Sequence, residues 1–208
     1  MLFKTTNRLF KGQYQYKLVI TCAGASWFRG RDWDSIRAQL SKTDILKNSK
    51  LGFKSSIKTQ EDLDYALKLQ SVLRKLQNIE TRVESPWITV YTNSKADVDA
   101  IIKIDNSKIK YVSIPPSNTS LQENSIILPK VNYDFKVTLG KTTSENSSFV
   151  EWAESNPKIK LTKTCKRDLF RNNSWGGTYF YVKGENNLLM AKMHLGGSIN
   201  KVERIVKA

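Results

Sequence analysis

Histidine and cysteine are nearly missing from this sequence: His194 stands alone, and Cys22 and Cys165 lie far apart with no paired spacing. One histidine and two thiols cannot build a zinc site on Cys and His, and a structural disulfide is not expected in a reducing compartment. Cys22 as a nucleophile would need a histidine base, for which His194 is the sole candidate; the alternative is a buried or idle thiol. Long apolar runs are missing too. Leu18-Val19-Ile20 and Ile126-Ile127-Leu128 fall far short of the roughly 20 residues a bilayer span requires, so no membrane partner is expected. The N-terminal "MLFKTTNRLFKGQYQYK" has neither an apolar h-region nor a small-residue cleavage site, which predicts a cytoplasmic protein.

Acidic residues are scarce at both ends of the chain. Thirty-four Lys and Arg face nineteen Asp and Glu across 208 residues, a formal charge of +15. Residues 1–58 hold twelve basic and three acidic side chains, residues 59–128 eight and nine, and residues 129–208 fourteen and seven. A generic solubility charge would not leave the middle third neutral, so the pattern points to a polyanionic partner, nucleic acid first of all. With 39% apolar and 10% aromatic residues, the chain can bury one good core or two small ones.

Periodicity supplies the organisation. Tyr14, Tyr16, Leu18 and Ile20 alternate with Gln15, Lys17, Val19 and Thr21 as in a strand over 14–22, and Asp32 or Asp34 can cap a short helix through Trp33, Ile36 and Leu40. Residues 41–58 read as a long basic loop. Thr59 with Asp62 caps a helix over 60–77, strands follow at 79–83 and 87–92, Ser94 caps a helix over 95–103, and a strand at 109–114 precedes Pro115 and Pro116. This is the βαββαβ order of a ferredoxin-like sheet, with an inserted loop at 23–58. After the polar "PPSNTSLQENS", Tyr133, Phe135, Val137 and Leu139 alternate on one face, Ser148 with Glu151 caps a short helix, Gly184-Glu185-Asn186-Asn187 signals a hairpin, and "KVERIV" makes a last strand. The expected architecture is α+β, with a ferredoxin-like unit at 1–116 and a β-rich α+β unit at 129–208. No internal repeat is evident.

Two stretches combine cations with planar rings. "CAGASWFRGRDWD" at 22–34 lacks Walker spacing, yet Arg29, Arg31 and Trp27 suit phosphate and unstacked bases, against the alternative that Trp27, Phe28 and Trp33 pack beneath the loop. "KIKLTKTCKRDLFR" at 158–171 places Lys158, Lys160, Lys163, Lys166, Arg167 and Arg171 directly before a Gly-Gly turn with Trp175, and ranks first for phosphate contact. A third set of rings, Tyr14, Tyr16, Trp87 and Tyr91, has the spacing of an exposed stacking platform on central strands, although neither strand carries the RNP patterns. For catalysis, Asp134-Phe135-Lys136 is a D-x-K of the kind Mg²⁺-dependent nucleases use, with Glu123 as an upstream acid and with Asp134 and Lys136 facing away from Tyr133 and Phe135.

"YKLVITCAGASWFRG" and "SWGGTYFYVKG", in a Lys- and Asn-rich chain, resemble segments of small uncharacterised proteins of tailed bacteriophages with low-GC genomes. The resemblance implies action on nucleic acid in the host cytoplasm or a place in the virion. The expected function is therefore DNA or RNA binding through phosphate contacts and ring stacking, without catalysis or cofactor. The alternatives are a nuclease using Asp134 and Lys136 with Mg²⁺, and a virion or assembly protein.

Overall fold

A computed structural model describes residues 2–30, 32–45, 57–116, 121–141, 146–171 and 174–207, and the chain divides into two units, Met1–Ser120 and Leu121–Ala208. Both units mix helix and strand, so the fold class is α+β.

In the first unit, local signals and final structure agree closely. The alternating stretch becomes β2 (Tyr16–Thr21) with Leu18 and Ile20 fully buried. Asp32 caps α1 (Trp33–Ser41), its carboxylate accepting the Asp34 and Ser35 amides at 3.0 and 2.9 Å. The Ser35 hydroxyl and then the Ser35 amide hold that carboxyl below its ordinary range. Thr59 caps α2 (Gln60–Lys75) by accepting the Asp62 amide at 3.1 Å. Then follow β3 (Glu80–Glu84), β4 (Trp87–Thr92), α3 (Lys95–Ile102) capped by Ser94, and β5 (Ile109–Ile114). One strand is absent from the sequence expectation. β1 (Leu2–Thr5) lies parallel to β5, and because all four of its side chains are exposed it has no burial alternation to reveal it.

The sheet order is β1-β5-β2-β4-β3, with β5, β2, β4 and β3 mutually antiparallel where they pair. Leu18, Ile20, Ile88, Val90 and Val112 turn one face toward Ile36, Leu40, Leu69, Leu73, Val98 and Ile101 of the helices, forming the core. The stretch 23–58 is more than a basic loop: it contains a 3-10 turn at Ala25–Phe28 and the whole of α1, while residues 46–56 lie outside those described. Gly24 opens it at φ +76°, and fully buried Ile57 lies 3.0 Å from where a Cβ on Gly24 would sit. Glycine meets both demands without strain.

The second unit runs β6 (Ser125–Ile127), β7 (Phe135–Leu139), α4 (Ser147–Ser155), β8 (Ile159–Leu161), α5 (Lys163–Leu169), β9 (Tyr179–Val182), α6 (Glu185–Leu195) and β10 (Ile199–Val206). Its three helices correct the β-rich expectation. The stretch 184–187 opens α6 and is not a hairpin: Asp134 accepts the Gly184 amide at 2.8 Å, and Leu188, Ala191 and Leu195 then recur at helical spacing and are buried. The helix expected from a Ser148 cap starts two residues earlier, with Asn146 and not Ser148 at its N-cap position. Tyr133 precedes the strand and does not share the inward face of Phe135, Val137 and Leu139; its ring stacks on Tyr181.

The two sheets have the same design, which corrects the absence of a repeat. The second order is β6-β10-β7-β9-β8, matching β1-β5-β2-β4-β3 strand for strand. Directions match as well: β6 is parallel to β10 as β1 is to β5, and the remaining pairs are antiparallel in both. Leu18 pairs with Val90 and Val112, and Val137 pairs with Phe180 and Val202, so these triplets are equivalent. From Val90 and Phe180 onward the two units stay 90 positions apart: Ser94 and Gly184 precede the helices, and 3-10 turns at 106–108 and 196–198 lead into Ile109 and Ile199. "YQYKLVI" at 14–20 is thereby superposed on "YDFKVTL" at 133–139.

Candidate nucleic-acid interface

The opening basic and aromatic loop is built mainly into the protein. Trp27 is half-buried against the first core and Phe28 is buried in it. Arg29 Nη2 donates to the Val83 carbonyl at 3.1 Å, which ties the loop to β3. Arg31 lies outside the described residues. Cys22 is buried, and burial first, then the Asp62 charge, pushes its thiol up to about 12; burial does the same to Cys165. Neither is an activated nucleophile. Both thiols are expected to resist an aromatic disulfide reagent at pH 8 in the native protein and to react at once in denaturant; fast native labelling of Cys22 would contradict this placement.

The second basic stretch is presented to solvent. Folding splits it between edge strand β8 and α5, where Cys165 and Leu169 turn inward and Lys163 and Arg167, four apart, turn outward. Lys160, Lys163 and Lys166 line one open groove of about 390 Å³ together with Glu154 and Thr162. Lys166 pairs with Glu154, and Arg167 Nε stands 3.9 Å from Asp168. Lys158 and Arg171 are exposed at either end of the stretch.

Trp175 is the most exposed large apolar side chain among the described residues, at 94%. The cause is local. Gly176 takes φ +79° and approaches Gly140 so closely that a Cβ would lie 2.4 Å from the Gly140 carbonyl carbon. This backbone contact fixes the turn from below, while Lys141 Nζ stands 5.8 Å from the outward-facing Trp175 ring.

Each sheet also has a face away from its core. In the first unit it carries Lys17, Trp87, Tyr91 and Tyr111, with Lys110 Nζ 3.7 Å over Trp87 and Lys4 Nζ 4.3 Å over Tyr111. Trp87 and Tyr91 do share this face, but Tyr16 packs against the core and Tyr14 precedes β2, so the expected four-ring platform is not assembled. Tyr91 is only 6% exposed, covered by Phe10 and Tyr14 at 6.1 and 6.0 Å between ring centroids and by Lys11 at 4.8 Å. In the second unit the corresponding face carries Lys136, Tyr179, Tyr181 and Lys160. Tyr133 stacks on Tyr181 at 5.8 Å and 23°, Tyr179 meets Tyr181 edge-on at 5.5 Å, and Lys136 Nζ sits 4.0 Å over Tyr179. Sequence reasoning missed this cluster. Its signal was available: Tyr133 and Lys136 repeat the spacing of Tyr14 and Lys17.

The D-x-K residues have structural tasks. Asp134 fixes the start of α6 through Gly184, Lys136 lies over a tyrosine ring, and Glu123 is exposed just before β6. Among the described residues no group of three or more His, Cys, Asp or Glu is placed to hold a metal ion. His194 stacks on Trp152 at 4.9 Å in the last turn of α6, where a strand was expected. On the outer side of that helix Leu189, Met190 and Met193 are exposed, whereas the equivalent positions of the first unit hold Asp99 and Ala100 in α3 and Lys103 just after it. Among the described residues no helix is long and apolar enough to cross a membrane. Comparison with protein-family models, curated proteins and solved structures finds no match to this chain.

Proposed function

We propose that the chain binds nucleic acid through a pair of ferredoxin-like sheets, with the second unit as the principal contact surface. The observation that carries this reading is the conjunction, in one unit, of a lysine-lined groove with an outward-clamped tryptophan. An exposed ring of that size is a poor choice for a surface with no partner, and with Glu154 paired to Lys166 the groove still offers Lys160 and Lys163 to an external anion. Together they match the two requirements of a flexible nucleic-acid strand, neutralised phosphates and planar surfaces for bases. Lys158, Lys160, Lys163, Arg167 and Arg171 would meet phosphates, and Trp175 a base. The formal +15 would speed encounter with any polyanion. A phage-encoded protein acting in the host cytoplasm is the setting this reading adopts from the two segments that resemble tailed-phage proteins.

Trp175→Ala separates stacking from charge. Affinity for a single-stranded oligonucleotide is expected to fall about fivefold or more, with the slope of log affinity against log salt unchanged. Unchanged affinity would remove Trp175 from the interface.

A further inference from the structure

We propose that the outer face of the second sheet, centred on Tyr133, Tyr179 and Tyr181 with Lys136 and Lys160, is a base-stacking platform for single-stranded nucleic acid, whereas the equivalent face of the first sheet is occupied by the chain's own Phe10. This inference rests on the nucleic-acid reading above and names the site and the strand form.

The duplicated architecture makes the comparison possible. Tyr91 on β4 and Tyr181 on β9 occupy equivalent positions, opposite Lys17 and Lys136 respectively. In both units a tyrosine three positions before that lysine lies on the strand tyrosine, Tyr14 on Tyr91 and Tyr133 on Tyr181. The first unit then adds a further ring. A bridge between Phe10 and Tyr14 folds the chain back, placing Phe10 by Tyr91 and Lys11 above the same ring. In the second unit Pro129 stands 119 positions after Phe10, the same separation as Tyr133 from Tyr14, and it supplies no aromatic face. Tyr181 accordingly remains half-buried where Tyr91 is buried. The first unit thus seats an aromatic ring, tilted at 48°, against this tyrosine and lysine arrangement.

Two further features select a nucleotide. At position 179, the first-unit equivalent Thr89 is replaced by tyrosine, which widens the aromatic surface next to Tyr181. Opposite Tyr181 on the edge strand, Glu80 of the first unit is replaced by Lys160, which also lines the basic groove. Glu80 is paired with Lys11 in the first unit, completing the internal cap. The second unit therefore offers a cation at the position where the first has an acid, beside a ring surface that carries Tyr133 and Lys136 but, among the described residues, no counterpart of Phe10. Duplex bases are already stacked on one another and cannot use such a surface, so single strands are selected. The ring chemistry is common to DNA and RNA.

The test measures binding of the full chain to fluorescein-labelled oligo-dT, oligo-U and a mixed-sequence duplex of equal length. Tyr179→Leu/Tyr181→Leu is expected to weaken both single strands about tenfold or more, with duplex binding changed less than twofold. Tyr179→Phe/Tyr181→Phe keeps the rings and is expected to bind like the wild type. Tyr133→Ala, outside the strands, is a variant that spares the sheet and should weaken single-strand binding by about fivefold. Unchanged single-strand binding in a folded Leu variant, equal loss on duplex, or equal loss in the Phe variant would overturn the platform while leaving nucleic-acid binding standing. Absence of binding by the wild type to all three ligands would instead overturn the underlying reading.

Discussion

Replacing Lys158, Lys160 and Lys163 together with alanine is expected to make binding much less sensitive to salt. Each lysine that neutralises a phosphate releases a condensed cation, adding about 0.7 to the logarithmic salt slope on a single strand and about 0.9 on a duplex. Three such contacts contribute a slope of about 2 to 3, so between 50 and 200 mM salt the wild type should lose roughly 20- to 40-fold more affinity than the triple variant. These three lysines are the informative choice. All are exposed in the second unit, whereas Lys166 pairs with Glu154 and Arg167 lies near Asp168, so removing those would also unbalance an acid. Titrations at several salt concentrations read the slope directly. An unchanged slope in a folded variant would mean that the groove beside α5 is not where phosphates sit.

The second large effect concerns stability. Phe180 is fully buried on β9, pairs across to Val137 and Leu161, and meets Phe149 of α4 at 5.2 Å between ring centroids. Phe180→Ala removes a central ring that the surrounding strands cannot collapse to refill, at a cost of about 3–5 kcal/mol. The two cores are composed of separate residue sets, one within each unit. Hydrogen exchange should therefore show lost protection over 135–206 and retained protection over 16–114. Equal loss in both spans would show that the units unfold as one.

Much of the fold was legible because local signals were unopposed. Thr59 and Ser94 cap helices at the expected places, and β2, β4 and β5 carry burial patterns that hydrophobic spacing reveals. Where local and tertiary demands diverged, the sequence misled. Gly184-Glu185-Asn186-Asn187 has hairpin chemistry, but Asp134, fifty positions earlier, holds the Gly184 amide and starts a helix. β1 was invisible because all four of its side chains are exposed and leave no burial alternation. The repeat was hidden by unequal insertions: α1 and residues 46–56 enlarge the first connection, α5 the second, so no single offset aligns the two halves. Only "YQYKLVI" and "YDFKVTL" remain alike, with tyrosine and lysine as their shared polar marks.

The candidate site divides along the same line. Composition directed attention to cations and rings, but which rings face outward depends on register. Trp27 and Tyr16 pack toward the first core, Trp175 is forced outward by the contact of Gly176 with Gly140, and Tyr179 and Tyr181 face away from their core because Phe180 and Val182 face in. Alternation made the last of these predictable once β9 was recognised as a strand of the sheet and not an arm of a hairpin.

Fluorescence anisotropy of the wild-type chain with labelled single-stranded DNA, RNA and duplex DNA of equal length, titrated at 50 and 200 mM salt, tests nucleic-acid binding most directly. The expected result is binding at low salt that weakens steeply at the higher concentration and favours the single strands. No change in anisotropy with any of the three at low salt would contradict it.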